Sequence, residues 1–346
     1  MIKFSLSADS SRECRCLIIL MSAAFVWSLL SCLPEAANAQ TPSSTVKAKG
    51  QTAAMLTSDG QPDLQGIWDF GSITPMQRPP EFAGKEFLTE QEAADWAAKK
   101  MKELDFDRRD GGAEANIARG YNEYWTERGA PVVTRRTSLV IDPPDGRIPA
   151  TEQTLQRQKE DRERYLNPRY DGPEDLSLAQ RCLNVGGYGP PISPTLYNNN
   201  VRITQGPGYV MILHEMNHDT RVIPLDGRPH LPEQIRLWDG DSRGHWEGDT
   251  LVVDTTNFND EAGLRERKHL HLIERFKRIN NEILQYRFTV DDPTSYTRPW
   301  TAEIPARKTE GPIIEYACHE GNDTMMNALS EARAEEKKAS AQSPTK

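Results

Sequence analysis

The sequence predicts a mainly β, antiparallel protein with helical insertions before the β-rich part and a short C-terminal helix. Three observations predict it. Short apolar runs recur at near-regular spacing over 201–205, 209–215, 220–225, 235–238, 250–256, 270–279, 282–290, 300–304 and 313–317. Turn formers such as Gly206-Pro207-Gly208, Asp226-Gly227, Glu247-Gly248-Asp249, Asn280-Asn281 and Asp291-Asp292-Pro293 separate them. No helical period lies between these runs, and 24 prolines with 23 glycines disfavour long helices throughout. Many short strands joined by tight turns close as a barrel or pack as a sandwich.

Taken in order, the chain opens with Lys3, Arg12 and Arg15, an apolar run over 17–33, and Ala37-Asn38-Ala39. A basic region, a hydrophobic core and a small-x-small site make 1–39 a secretory signal peptide, with cleavage after Ala39 and a periplasmic or secreted mature chain. Cys32 after Leu29-Leu30-Ser31 only loosely matches a lipidation signal. Residues 40–60 are small and polar and read as a flexible linker. The segment 61–136 begins with an alternating strand candidate over 63–70. Thr89 with Glu92 then forms a capping box that opens a helix through about Leu104, and a charged excursion follows to 136. The β core spans 137–322 and starts with a hairpin over 137–148, turning at Pro144-Asp145-Gly146. The polar stretch 151–165 reads as a solvated helix or a lid. Residues 323–346 form the terminal helix and tail.

Composition excludes some functions. At 27% charged residues and a net charge of -9, the chain suits aqueous solution and carries no general basic surface for nucleic acid. Beyond the signal, no segment is apolar enough to span a membrane. No phosphate loop or dinucleotide-binding glycine signature appears, and no cofactor is expected.

Cys14, Cys16 and Cys32 leave with the signal, so the five cysteines reduce to Cys182 and Cys318. In an oxidising compartment two remaining thiols pair most economically as a disulfide, contributing roughly 4 kcal/mol by loop closure. A catalytic thiol is the alternative.

Several motifs resemble a family of secreted bacterial proteins of unassigned function. They are Arg228-Pro229-His230-Leu231-Pro232, the run Gly240-Asp241-Ser242-Arg243-Gly244-His245-Trp246-Glu247-Gly248-Asp249-Thr250-Leu251-Val252-Val253, Glu274-Arg275-Phe276, Asp291-Asp292-Pro293, Thr297-Arg298-Pro299-Trp300 and Glu315-Tyr316-Ala317-Cys318-His319-Glu320. The resemblance covers most of the mature chain and implies no particular chemistry. Gly66-Ile67-Trp68 is similar to the first-strand Gly-x-Trp of lipocalin-type (calycin-like) barrels, which implies a barrel rather than a sandwich.

All seven histidines lie between His214 and His319. His214-Glu215-Met216-Asn217-His218 matches H-E-x-x-H, which binds zinc when a helix sets its two histidines one turn apart. Its flanks are apolar and β-leaning. On a continuous strand the histidines stand about 13 Å apart, whereas two nitrogens on one zinc lie about 3 to 3.5 Å apart. A polar hairpin tip turning at Met216-Asn217 is therefore expected, and His214 with His218 as metal ligands is the alternative. Asp239-Gly240-Asp241-Ser242-Arg243-Gly244 has Arg243 where a calcium loop needs an acid, so a tight hairpin is expected there.

Strand alternation places Glu274 on the apolar face of Leu270, Leu272 and Phe276, and Arg221 on the face of Ile223 and Leu225. A buried carboxylate is costly unless paired, so Glu274 should meet an arginine or carry a raised pKa. A structural Glu–Arg pair and a proton-handling group are both open readings. Trp238, Trp246 and Trp300 are candidates for a pocket mouth, and His319 beside Cys318 for a rigidly held site group.

The expected function is binding or processing of a hydrophobic or aromatic small molecule in a β-barrel cavity. If the protein is an enzyme, metal-free acid–base chemistry of lyase, isomerase or hydrolase type is expected. Glu274, His218 or His319 would move the proton, and Arg221 or Arg243 would hold an anionic group. The alternatives are a metal-dependent hydrolase built on the 214–218 segment and a non-catalytic envelope module.

Overall fold

The turns expected after residue 200 are present, and they assemble the strands into one antiparallel ten-stranded sheet. The computed structural model describes residues 55–105, 107, 112, 134–186, 188–195, 197–259 and 267–342. The expected signal peptide, most of the expected linker and most of the 105–136 excursion lie outside them.

The strands are β1 (Gly66–Asp69), β2 (Val140–Asp142), β3 (Asn200–Gly206), β4 (Tyr209–His214), β5 (Thr220–Pro224), β6 (Asp241–Glu247), β7 (Thr250–Thr256), β8 (His271–Arg278), β9 (Ile283–Asp291) and β10 (Trp300–Thr309). Their order is β5-β4-β3-β1-β10-β9-β8-β7-β6, with β2 added on β10. β3, β4 and β5 pair in sequence order, as do β6 through β10, whereas β1, β2 and the step from β5 to β6 break that order. β1 enters the middle of the sheet, against β3 and the far end of β10.

Among the described residues the hydrogen-bond ladder is open between β5 and β6, the two ends of this order. The ends meet through side chains instead. A Cβ placed on Gly244 of β6 would stand 2.7 Å from Leu225 and 2.8 Å from Ile223, so the glycine is what lets the β5 side pack against β6. The enclosed face carries the core: Trp68, Ile203, Ile212, Ile223, Leu251, Phe276, Tyr286, Phe288 and Ile304 are essentially inaccessible. β9 falls on the 282–290 run and buries every second residue, Leu284, Tyr286, Phe288 and Val290.

Local expectations fare unevenly. The helix after Thr89 is α1 (Glu90–Glu103), with both capping-box bonds made. The polar stretch is α2 (Glu152–Leu166), capped by Thr151, and the last helix is α3 (Thr324–Gln342). The hairpin expected over 137–148 is absent. Its first half, β2, pairs with β10 of the main sheet, which offers a buried partner that a two-stranded ribbon lacks. Residues 239–244 do not form a hairpin tip, because β6 begins at Asp241 and forms a full ladder with β7. Residues 235–238 are loop and 313–317 run without regular structure. β10 continues past Ile304 through Pro305 to Thr309. The N–H of Glu303 bonds Leu139 on the β2 side, and Pro305 presents its missing donor to the same side, between the stretches paired by β2 and β1.

Candidate functional site

Glu274 of β8 faces inward, as alternation requires, and is fully buried. Arg221 of β5, also buried, reaches it from a strand that is not its neighbour. Nη1 donates to Oε2 at 2.5 Å and Nη2 to Oε1 at 3.0 Å. Tyr286 of β9 donates its hydroxyl to Oε1 at 2.8 Å and accepts the Ile192 N–H at 3.0 Å. Burial alone would lower the Arg221 pKa, but the charge and hydrogen bonds of Glu274 outweigh it and raise it. Burial, then the Glu274 charge, pushes the Tyr286 hydroxyl well above its ordinary value.

The cluster is incomplete in one respect. Arg221 Nε and His214 Nε2 are buried and have no hydrogen-bond partner. His214 ends β4 on the buried face of Val210 and Ile212. Burial, and then the Arg221 charge, holds its pKa down to about 3, so the ring is neutral at working pH.

Beside this cluster stands Asp239, just before β6. Its carboxyl is pushed up to about 6 by burial, and next by the charge of Asp219; Arg221 and Arg267 pull the other way. Asp219 follows the turn after β4, so the β4–β5 turn and the β5–β6 loop each contribute one acid. The loop is firmly pinned: Leu237 N–H bonds Asn257, Asn259 N–H bonds Leu237, and Arg236 bonds the carbonyls of Phe258 and Lys268. Next to Asp239 it exposes Ile235, Leu237 and Trp238.

The H-E-x-x-H segment is not helical. His214 is strand, Met216–His218 form a 3-10 turn with positive φ at Asn217 and His218, and β5 follows. His218 is exposed while His214 is buried, so the two do not share a face. Among the described residues no group of three or more His, Cys, Asp or Glu side chains has metal-holding geometry. Glu215, fully buried, instead accepts from the Asn200 side chain at 2.9 Å and from Ile314 N–H at 2.9 Å, tying down the segment after β10.

The other expected site residues are dispersed. Arg243 lies on the outer face of β6, bonded to Asp241 at 2.6 Å and to the Pro229 carbonyl. Trp300 is core, edge-on to Phe288 and Tyr296, and Trp246 packs against the same core. Trp238 is the exposed one of the three. Cys182 and Cys318 form the expected disulfide, which lines a cleft of about 340 Å³ with Leu183, Asn217, Tyr316 and His319.

Several polar groups escaped the sequence reading. Tyr286 went unnamed within the 282–290 run, and Asp239 counted only as a turn residue. His230 and His271, unremarked individually, bracket Asp254: His230 Nε2 lies 3.2 Å from one carboxylate oxygen and His271 Nε2 3.0 Å from the other. Asp241 accepts from the Leu231 N–H and completes the row to Arg243. The hydrogen bond to Asp254 raises the His271 pKa. Alternation puts Asp254, His271 and Arg243 on one outer face, a signal available in the sequence, but the arrival of His230 from a loop is not.

No helix among the described residues is long and apolar enough to cross a membrane. No protein-family model matches the chain, and no curated protein matches it significantly.

Proposed function

We propose that the protein binds a hydrophobic or aromatic small molecule, and processes it by acid–base chemistry, at the β4–β5 end of the sheet, in the periplasm or outside the cell. The observation that carries this reading is the pair of unpartnered buried nitrogens, Arg221 Nε and His214 Nε2, beside a fully paired carboxylate. A buried donor without a partner costs about 1–3 kcal/mol. An oxygen of a bound molecule at Arg221 removes that cost, and neutral His214 supplies a second contact. In this reading the curled sheet is a lipocalin-like barrel wall and the exposed 235–238 segment its apolar lip. Arg221, rather than Arg243, holds the polar end of the molecule, because Arg243 is committed to Asp241 on the outer face.

A second reading, a non-catalytic envelope module, draws on Glu274, whose oxygens already accept three hydrogen bonds, and on an interior occupied by Trp68, Phe276, Tyr286 and Phe288. Native mass spectrometry of the full-length secreted protein separates the two. Co-purification of a hydrophobic or aromatic compound, reduced in His214→Phe, supports binding. If nothing co-purifies and no compound of an aromatic acid and ketone panel shifts the melting temperature, the module reading replaces it.

A further inference from the structure

The cleft at the disulfide shares no residue with the Arg221 cluster, and both cysteines line it. At about 340 Å³ it has room for a small molecule next to the bridge. Its walls are the segments around Cys182 and Cys318, and each is held by contacts other than the bridge. On the first wall, Val185 N–H donates to Asn217 Oδ1 at 3.1 Å. On the second, Ile314 N–H donates to Glu215 and Asn322 Nδ2 donates to the Gln180 carbonyl at 3.0 Å, so the chain is anchored on both sides of Cys318. Opening the bridge therefore leaves the two sulfurs close together, and the bridge can form again.

The two sulfurs are not equivalent. Asn322 Nδ2 also donates to Cys182 Sγ at 3.1 Å, whereas the nearest polar neighbour given to Cys318 Sγ is the Ala179 carbonyl oxygen at 3.8 Å. A thiolate is stabilised by an N–H donor and repelled by a carbonyl oxygen. Cys182 is thus the better leaving group, and Cys318 is the sulfur to be attacked. The lining also has a sign: Glu315 and Glu320 contribute two carboxylates, and among the described residues no lysine or arginine lines the cleft.

We infer that the Cys182–Cys318 bridge is a site of reversible thiol–disulfide exchange, and that its partner is a small aminothiol. The thiolate of the incoming molecule attacks Cys318 Sγ, and a new S–S bond forms as the Cys182–Cys318 bond breaks. The electron pair of the broken bond leaves on Cys182 Sγ, which becomes a thiolate beside the Asn322 amide. One disulfide replaces another, so no further oxidant or reductant is consumed. Return of the Cys182 thiolate to Cys318 expels the small thiolate and restores the bridge. Glu315 and Glu320 attract the ammonium group of the aminothiol and repel a thiol that carries an anionic group. The exchange is independent of the small-molecule site proposed above.

Cysteamine, 2-mercaptoethanol and 2-mercaptoethanesulfonate, whose tails are cationic, neutral and anionic, test this on the oxidised full chain without denaturant. Rates are compared per thiolate present, and after acid quenching and alkylation peptide mass spectrometry reads which cysteine carries the adduct. The adduct should sit on Cys318, with Cys182 alkylated. Cysteamine should react roughly fivefold faster than the sulfonate, the scale of a surface charge effect, and Glu315→Gln with Glu320→Gln should remove most of that difference. Asn322→Ala should slow exchange about tenfold, by loss of a hydrogen bond to a charged sulfur, and spread the adduct over both cysteines. Because Asn322 also anchors the Gln180 carbonyl, the adduct position and the order of the three thiols are read on the wild type as well. An adduct mainly on Cys182, a sulfonate as fast as cysteamine, an adduct distribution unmoved by Asn322→Ala, or opening whose urea dependence matches that of global unfolding overturns the inference.

Discussion

Arg221 and Glu274 meet across the interior of the sheet as a two-pronged ion pair, joining β5, one end of the strand order, to β8, the third strand from the other end. Where hydrogen bonds do not close the sheet, this pair and the Ile223–Gly244 contact hold the two sides together.

Breaking the pair from one side should cost more than removing it. Glu274→Leu or Arg221→Met alone leaves a buried charge unpaired and is expected to destabilise by about 3–5 kcal/mol. The double replacement should recover most of that loss. Urea unfolding of the three variants measures it, and a double variant as unstable as the sum of the singles would show that Arg221 and Glu274 are not energetically coupled, against this expectation.

His214 and Asp239 should oppose one another in the pH dependence of stability. With its folded pKa held at about 3, below the ordinary 6.5, His214 binds fewer protons folded than unfolded, so its contribution is lost as pH falls below about 6. Asp239, raised to about 6 from 3.8, binds more protons folded, so its contribution is lost as pH rises from about 4 to 6. Each slope approaches about 1.4 kcal/mol per pH unit where only one state is protonated. Relative to the wild type, His214→Phe should lose stability with rising pH over that window and Asp239→Asn should gain it. Parallel curves for the two variants in chemical denaturation between pH 4 and 7 would contradict both assignments.

The Cys182–Cys318 bridge spans 136 residues of sequence, and closing a loop of that size contributes about 4–5 kcal/mol in the chain-entropy model. Cys182→Ser should therefore lower stability by that order. It should also expose the segment after β10 to protease, because Glu215–Ile314 is then a principal remaining anchor. Limited proteolysis with peptide mapping checks the second outcome: cleavage should concentrate between 310 and 323.

Gly244→Val should force Leu225 and Ile223 from their places and cost about 1–3 kcal/mol by overpacking. Gly208, in the β3–β4 turn, has nothing within 4 Å of a built Cβ, but its φ of +80° makes Gly208→Ala strained for a different reason. Calorimetry on Gly244→Val with Leu225→Ala separates the two causes: only the crowding at Gly244 should be relieved by the smaller neighbour.

What the amino-acid order determined by itself is local. The Thr89 capping box, the alternation along β8 and β9, the turns between consecutive strands and the inward course of Glu274 and Arg221 are written in residues a few positions apart. The cysteine pairing followed from counting. Tertiary structure alone decided which partners meet. Glu274 finds Arg221 53 positions earlier, from a strand it does not pair with. The beginning of β10 captures β2 away from its predicted hairpin, and Asp239 acquires a neighbour in Asp219 from another loop. Periodicity reports which side of a strand a residue occupies. It carries no information on how far the sheet curls, and that curl sets which buried charges are compensated and which nitrogens, those of Arg221 and His214 among them, are left over.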